Sequence, residues 1–516
     1  MTRTLLALAA LSLPAPAQPP APVLAELTVA GPVAWRSRLG PTNLGTMLAS
    51  AQAESIWRGY VDAVDATLRA ARGADQEFLA ERTRLLDYGG EVHVVAWLDQ
   101  AEDAVHLPRW SAAVIAGPDG HSDLAAMAAQ CNAWLVRAGA SAATRWLQLE
   151  LSPPRLHDGR LIAVLASAED LEAATRRAQR FVCRALDANS VLRLEVAPQA
   201  ALGLLRDRAS ERDVVAALIG PACARATLAI GSVGPRLVVD CSFAFGAGGR
   251  GVLRGLLPAH AKVVDLATLV PEGTATHYAW PVDLPAMWQG VVEVLAAATE
   301  RGVPAMHERL VQWFGCDLGK DVWPLLEPEV LLLWRRLDAA EADDPDLLAN
   351  ACFVARVRDE AALVEAAGPV LRRAGATYQV GEDGVLWSED GDYSLRIGFG
   401  IACVAFGARG HAQCEAVLDR AAAPRRRRAA AQHPPGAPAG WNAEGRMDVT
   451  TLVARDLYGS LRWLLFAFGG AQHLPEVLEL QKEAARWLPV LREHRLDSAQ
   501  TLGGVTERGW QLRILW

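Results

Sequence analysis

Apolar positions along the chain recur with two periods, near two and near 3.6 residues, and these alternate in a fixed order. Glu91–Leu98 and Trp110–Ala116 read as strands, and Gly117-Pro118-Asp119-Gly120 follows as a turn. His121–Ala138 has helical spacing, with Gly139 placed to stop it. Thr144–Leu151 alternates around Trp146, Leu149 and Leu151. Pro153-Pro154 and Asp158-Gly159 then mark a connection into a strand over Leu161–Ala166. Glu169–Cys183 predicts an amphipathic helix with Leu171, Ala174, Ala178 and Phe181 on one face. Upstream, a proline-rich lead-in at 18–24 precedes a helical pattern over 43–72, carried by Trp57, Tyr60, Val61, Val64 and Leu68.

The same order returns downstream. Val330–Leu337 and Cys352–Val357 predict strands, and Asp359–Ala374 a helix that carries Pro369 and ends at Gly375. Tyr378–Val380, Gly384–Trp387, Tyr393–Ile397 and Ile401–Phe406 predict strands, and His411–Arg420 a helix. Short matches accompany the order. Leu85-Leu86-Asp87 returns as Leu325-Leu326-Glu327, Trp134–Ala140 as Val370–Ala376, and Leu161–Val164 as Ile401–Val404. A hairpin over Ala226–Ile230 and Arg236–Phe245 is echoed by Gln500–Gly504 and Arg508–Trp516. The wider spacing of that last match is absorbed by an Arg/Pro/Ala-rich insertion at 422–446.

The expected fold is therefore α+β, with two tandem copies of one module. Each copy has a mainly antiparallel sheet covered by helices on one face, a helical lead-in and a terminal hairpin. The first repeat is placed at 18–262 and the second at 263–516.

Composition adds compartment and exclusions. The 516 residues are 51% hydrophobic and 21% charged, as in a well-cored globular protein. A net charge of -8 leaves no electrostatic footprint for nucleic acid. Arg3, the apolar run Leu5–Leu13 and Ala15-Pro16-Ala17 follow the order of a signal peptide over 1–17. That order predicts export to a periplasmic or extracellular location, where disulfides are permitted. No later run has the length of a transmembrane helix.

The candidate chemistry is sparse. None of the eight cysteines forms a C-x-x-C pair. Cys403 aligns with Ala163 and Cys414 with Ala174, which reads them as small buried apolar residues. Cys223 and Cys241 flank a hairpin and are the best-placed disulfide candidates. His307-Glu308 lacks a second histidine at helical spacing, and His157-Asp158 lies in a turn, so no metal ligand is assigned. Ile230-Gly231-Ser232-Val233-Gly234 lacks the first glycine of a nucleophile elbow and reads as the hairpin turn. Gly246-Ala-Gly248-Gly-Arg-Gly251 matches G-x-G-x-x-G after a strand, with Asp265 about 20 residues on, which raises a nucleotide-binding alternative. A helix from there would end before Pro258, shorter than a βαβ crossover needs, so an inter-repeat linker is the plainer reading. Arg425–Arg428 is the one dense basic run and reads as a solvated loop. The 17 tryptophans are assigned to core packing, with a ligand-stacking groove as the alternative.

The chain resembles a class of secreted bacterial proteins of unknown function in which a helical lead-in and an α+β sheet unit are duplicated in tandem. The resemblance rests on the signal, on Asp283-Leu-Pro-Ala-Met-Trp288 opening a helix, on Gly315-Cys-Asp-Leu-Gly-Lys320 before Trp323-Pro-Leu-Leu326, and on the repeated strand–helix order. It implies architecture and compartment and brings no catalytic residue. The expectation is an exported non-enzymatic binding or structural protein of the bacterial periplasm or cell envelope, with no cofactor and an unknown ligand or envelope partner. A hydrolase with a dispersed site in one repeat is the alternative.

Overall fold

Period-two alternation becomes one continuous antiparallel sheet. The computed structural model describes residues 22–55, 88–99, 109–119, 123–137, 149–202, 209–219, 223–245, 252, 266–335, 351–373, 376–381, 386–390, 393–406, 410–423, 443–448, 486–506 and 509–516. Its strands are β1 (Val23–Ala30), β2 (Glu91–Asp99), β3 (Arg109–Ala116), β4 (Glu150–Leu151), β5 (Arg155–His157), β6 (Arg160–Ala166), β7 (Ser190–Val196), β8 (Cys223–Val233) and β9 (Arg236–Phe245). They continue as β10 (Thr274–Pro281), β11 (Leu326–Arg335), β12 (Ala351–Val357), β13 (Tyr378–Val380), β14 (Leu386–Asp390), β15 (Tyr393–Gly398), β16 (Ile401–Phe406), β17 (Ala443–Asp448), β18 (Ser498–Thr506) and β19 (Gly509–Leu515). The longer helices around the sheet are α1 (Leu124–Arg137), α2 (Leu171–Arg180), α3 (Leu284–Ala298), α4 (Val303–Phe314), α5 (Glu360–Arg373) and α6 (Gly410–Ala422), with α4 packed on α3 and α5.

The pairing runs outward from a central seam between β9 and β19. On one side the order is β9, β8, β7, β1, β2, β3, β6. On the other it is β19, β18, β17, β10, β11, β12, β16. β4 and β5 extend the first edge beyond β6, and β15, β14 and β13 extend the second beyond β16. Every pairing is antiparallel, which gives the chain an α+β fold with a large antiparallel sheet. The helix Ala209–Ile219, from the first half, packs along α3 of the second.

Most predicted elements appear within a residue or two of their expected bounds. Five strands were not anticipated: β1, β5, β7, β10 and β17, of which β5 lies in the stretch read as a connection. The lead-in read as proline-rich gives way at Val23 to β1, which is hydrogen-bonded on both sides, to β2 and β7. The insertion placed at 422–446 overlaps β17, which begins at Ala443. Of the helix expected over 43–72, Asn43–Leu48 and 51–55 are helical and 56–72 lies outside the described residues.

Helices cover both faces of the sheet, and this corrects the one-face expectation. In β6, Ile162, Val164 and Ala166 pack with Ala174 and Ala178 of α2. Leu161 points the other way and packs with Leu124 and Ala128 of α1. In β16, Ile401, Cys403 and Ala405 meet α6, while Ala402 joins the cluster around Leu363 and Leu371 of α5. A strand buried on both faces reads as a continuous apolar run, as in Arg160-Leu-Ile-Ala-Val-Leu-Ala166. The face parity also revises one sequence match. Setting Leu161 against Ile401 equates a residue on the α1 face with one on the α6 face, and a one-residue slip turns every side chain to the opposite side.

Candidate functional site

A cavity of about 520 Å³ lies between the second half of the sheet and the helices on its α3/α5 face. Its floor includes Val330 and Leu332 of β11, Leu395 and Ile397 of β15, and Ala402 and Val404 of β16. Its roof includes Met287 of α3, Leu363, Ala367 and Leu371 of α5, and Val322 and Trp323 from the connection into β11. Every lining side chain is apolar. Trp280 and Trp323 also line it, and the indole N–H of each is buried without an acceptor among the described residues. Phe353 is 43% exposed and meets Phe406 edge-on, with ring centroids 6.1 Å apart, so this pair stands where the cavity reaches solvent.

Local sequence explains how the roof is held. Asp283 caps α3 by accepting a hydrogen bond from the Ala286 N–H at 3.0 Å, ahead of Pro285 in the first turn. α4 ends at Gly315, whose φ of 78° is the left-handed closing conformation that favours glycine. Asp317 then ties the next turn together. It accepts from the Gly319 N–H at 3.1 Å and from Lys320 Nζ at 3.1 Å, and lies 3.3 Å from His307 Nε2. Burial pushes the Asp317 carboxyl up, but Lys320 and His307 outweigh it and hold its pKa below the ordinary value. A π-helical turn, Leu318–Val322, and a 3-10 turn, Trp323–Leu325, follow and carry Leu318, Val322 and Trp323 into the wall.

The opposite face of the same sheet region holds three thiols. Cys352 of β12, Cys403 of β16 and Cys414 of α6 are each fully buried. Cys403 Sγ lies 3.1 Å from both Cys352 Sγ and Cys414 Sγ, and all three sulfurs fall within 4.8 Å of one another. Cys414 Sγ is also 3.4 Å from the Ser394 carbonyl oxygen. Burial raises the Cys352 and Cys403 pKa values well above that of an ordinary thiol. Cys414 shifts the other way, through hydrogen bonding with the Cys352 and Cys403 thiols, with the Arg396 guanidinium adding to the effect. Arg396 is itself 4% exposed and sits over the Trp387 ring at 5.4 Å.

A polar array occupies the α2 face of the first half. His93 Nδ1 is 3.1 Å from Thr28 Oγ1 and 4.0 Å from Glu26 Oε1, and its Nε2 is 3.9 Å from Glu91 Oε2. Glu91 accepts from the Leu186 N–H at 3.2 Å, and Arg193 lies 3.7 Å from both Glu26 and Glu195. The chain after α2 closes over these groups. Arg160 donates to the Gln179 and Phe181 carbonyls, and Arg193 to those of Arg184 and Ala185. Burial, then Arg193 and Arg160, lower the His93 pKa to about 4. His93 is 5% exposed, so the imidazole is held neutral and away from solvent, which suits packing and not proton transfer to a substrate.

The sequence candidates are scattered. Cys223 sits opposite Phe245 and Cys241 opposite Leu228, several rungs apart, so they cannot form the suggested disulfide; both thiols are free. His157 Nε2 lies 3.4 Å from Asp158 Oδ2, beside a turn with φ of 47° and 72° at Asp158 and Gly159. Ser232 lies at the end of β8 and donates to the Arg38 carbonyl oxygen. Gly246–Gly251, Asp265 and Arg425–Arg428 lie outside the described residues. The strand before Gly246, β9, is antiparallel to both neighbours, whereas a dinucleotide-binding unit starts from a parallel strand. Trp97 is core as expected, but Trp313 is 68% exposed. The cavity and the thiol trio were missed. Their only trace in the sequence is that Cys352, Cys403 and Cys414 occupy inward-facing positions, and adjacency of β12 and β16 was needed to bring them together. Comparison of the chain with protein-family models, with curated proteins and with solved structures finds no match.

Proposed function

We propose that the chain is an exported, non-enzymatic binding protein of the bacterial periplasm or cell envelope that holds a hydrocarbon-bearing ligand of the lipid class. The observation that carries this reading is the cavity between β11, β12, β15, β16 and the α3/α5 roof. Its volume lies in the range of small-molecule sites, and its lining is apolar apart from the buried indole N–H groups of Trp280 and Trp323. A cavity so lined gives water few polar partners and favours an occupant that needs few. The signal-like N-terminus supports the compartment. The leading alternative, a hydrolase, needs an open polar constellation. The polar cluster around His93 is closed beneath the Phe181–Leu186 segment.

The reading includes a tandem duplication. The two strand orders outward from the seam correspond step for step, and the helices on each face follow suit: α1 with α5, α2 with α6. The terminal hairpins correspond with Val233 and Arg236 set against Thr506 and Gly509, which makes their offset 273 and not the 272 of the sequence match.

The test is titration of the full chain with the uncharged apolar dye N-phenyl-1-naphthylamine, followed by displacement with a long-chain monoacylglycerol. One saturable equivalent, displaced by the lipid, is the expected result. Dye fluorescence that does not saturate, or that the lipid leaves unchanged, would remove the reading.

A further inference from the structure

We propose that Cys352, Cys403 and Cys414 form a three-sulfur site for a soft, thiophilic metal ion, and that Cu(I) is the ion the donor set fits best. The trio is the one group of three potential ligands converging on a point among the described residues. The sulfurs come from three separate elements, β12, β16 and α6, so the fold itself assembles them. They lie on the sheet face opposite the cavity, and the inference stands apart from the lipid-binding reading.

Packing alone does not call for cysteine here. The matching layer under α2 is built from Val95, Trp97, Ala113, Ile115, Ile162 and Val164, with Ala174 and Ala178 from the helix. No sulfur is among its fully buried members. The second half fills the same layer with apolar residues except at the three positions where sulfurs meet.

The donor set selects the ion. Thiolates favour soft ions, and magnesium, calcium and manganese want oxygen ligands, whereas the side-chain donors that converge here are sulfurs. Structural zinc takes four ligands in nearly every site. The nearest further donor is the Ser394 carbonyl oxygen, 3.4 Å from Cys414 Sγ, and all three cysteines are sealed from solvent, so no water can complete a tetrahedron. A monovalent ion content with three sulfurs meets both limits. Loading releases the three thiol protons to solvent and leaves three thiolates around one monovalent ion, a net charge of about -2, which the buried Arg396 guanidinium on the same layer offsets in part. Metal–sulfur bonds of about 2.3 Å in a trigonal set separate the sulfurs by about 4 Å. The two 3.1 Å separations would therefore open by roughly an ångström on loading, a motion within side-chain torsional reach.

The experiment is anaerobic titration of the reduced full chain with Cu(I) in competition with bicinchoninate, on folded protein and on protein refolded with the ion. One equivalent withheld from the competitor is expected, with X-ray absorption of the loaded protein counting three sulfurs. Cys403→Ala and Cys414→Ala should each lose that equivalent, and Cys223→Ala and Cys241→Ala should keep it. The absorption measurement on unaltered protein decides the matter if the core variants fail to fold. No retained Cu(I) in either preparation, a first shell with fewer than three sulfurs, preference for Zn(II) over Cu(I), or a disulfide within the trio would overturn the proposal.

Discussion

Asp240 of β9 and Arg513 of β19 face each other in register at the centre of the sheet and form a two-pronged ion pair. Arg513 Nε donates to Asp240 Oδ1 at 2.7 Å and Nη2 to Oδ2 at 2.9 Å. Under the proposed duplication these two residues would occupy equivalent positions, with the pseudo-twofold axis passing through the pair. A strand that meets its own counterpart across such an axis places like residues opposite one another, and identical charges there would repel. Opposite charges at this rung make a seam contact in place of that repulsion.

The pair predicts a measurable coupling. Its side chains are 26% and 40% exposed, so solvent screens it and the two-pronged geometry is what gives it weight. A double-mutant cycle with Asp240→Ala and Arg513→Ala, read by urea unfolding, should show about 1 kcal/mol of coupling at low salt. The coupling should shrink in molar salt. The charge-reversed double variant, Asp240→Arg with Arg513→Asp, should recover most of the loss because the two side chains face each other in register. A coupling indistinguishable from zero would mean that backbone pairing alone holds the seam.

His93 predicts an acid limb of stability. Its folded pKa, about 4, lies below the ordinary value of 6.5, so the unfolded chain binds the proton first as pH falls. Its contribution is complete above pH 6.5 and is lost progressively as pH drops from 6.5 toward 4. Glu26 and Glu91 approach the ring and favour the proton, but burial with Arg193 and Arg160 prevails. His277 of β10, lowered to about 4 by burial and by Arg446 across from it on β17, adds to the same limb with the same sign. Taking both exchanges with some screening, on the order of 2 kcal/mol per histidine is at stake. His93→Gln should flatten the slope of unfolding free energy between pH 6.5 and 4. An unchanged slope in that variant would assign the limb to other groups.

Element order and strand content were legible because each strand carries its own alternation and each helix its own stripe. What was not legible depended on neighbours. β1 contains Glu26 and Thr28, two polar residues in eight, and reads as lead-in until β2 and β7 supply His93 and Arg193 as their partners. β17 is six residues long and includes Gly445, where a Cβ would collide with Thr501 Oγ1 and the His277 carbonyl oxygen. Such a segment shows no alternation, and only the close approach of β10 and β18 explains the glycine. The thiol trio illustrates the same limit. Matching Cys414 to Ala174 correctly places it on an inward helix position, but chain spacing gives no hint that Cys352 and Cys403 converge on it. The cavity is less legible still, since it is defined by space between side chains that individually read as core.

The cavity gives the most direct prediction for function. Ala367 on the α5 roof and Ala402 on the β16 floor both line it, and each offers a small side chain facing open volume. Ala367→Phe with Ala402→Phe would fill part of that volume with aromatic surface and leave the polar surroundings unchanged. Apolar area buried in an existing void stabilises by about 0.5–2 kcal/mol when the new side chains fit without strain. The double variant should therefore unfold at equal or higher temperature and bind the apolar dye at least tenfold more weakly, by the simple exclusion of its site. The two readouts separate the explanations. Weaker binding with lower thermal stability would point to a distorted roof, whereas unchanged dye affinity with a filled cavity would show that the dye sits elsewhere and that this space is a packing defect without an occupant.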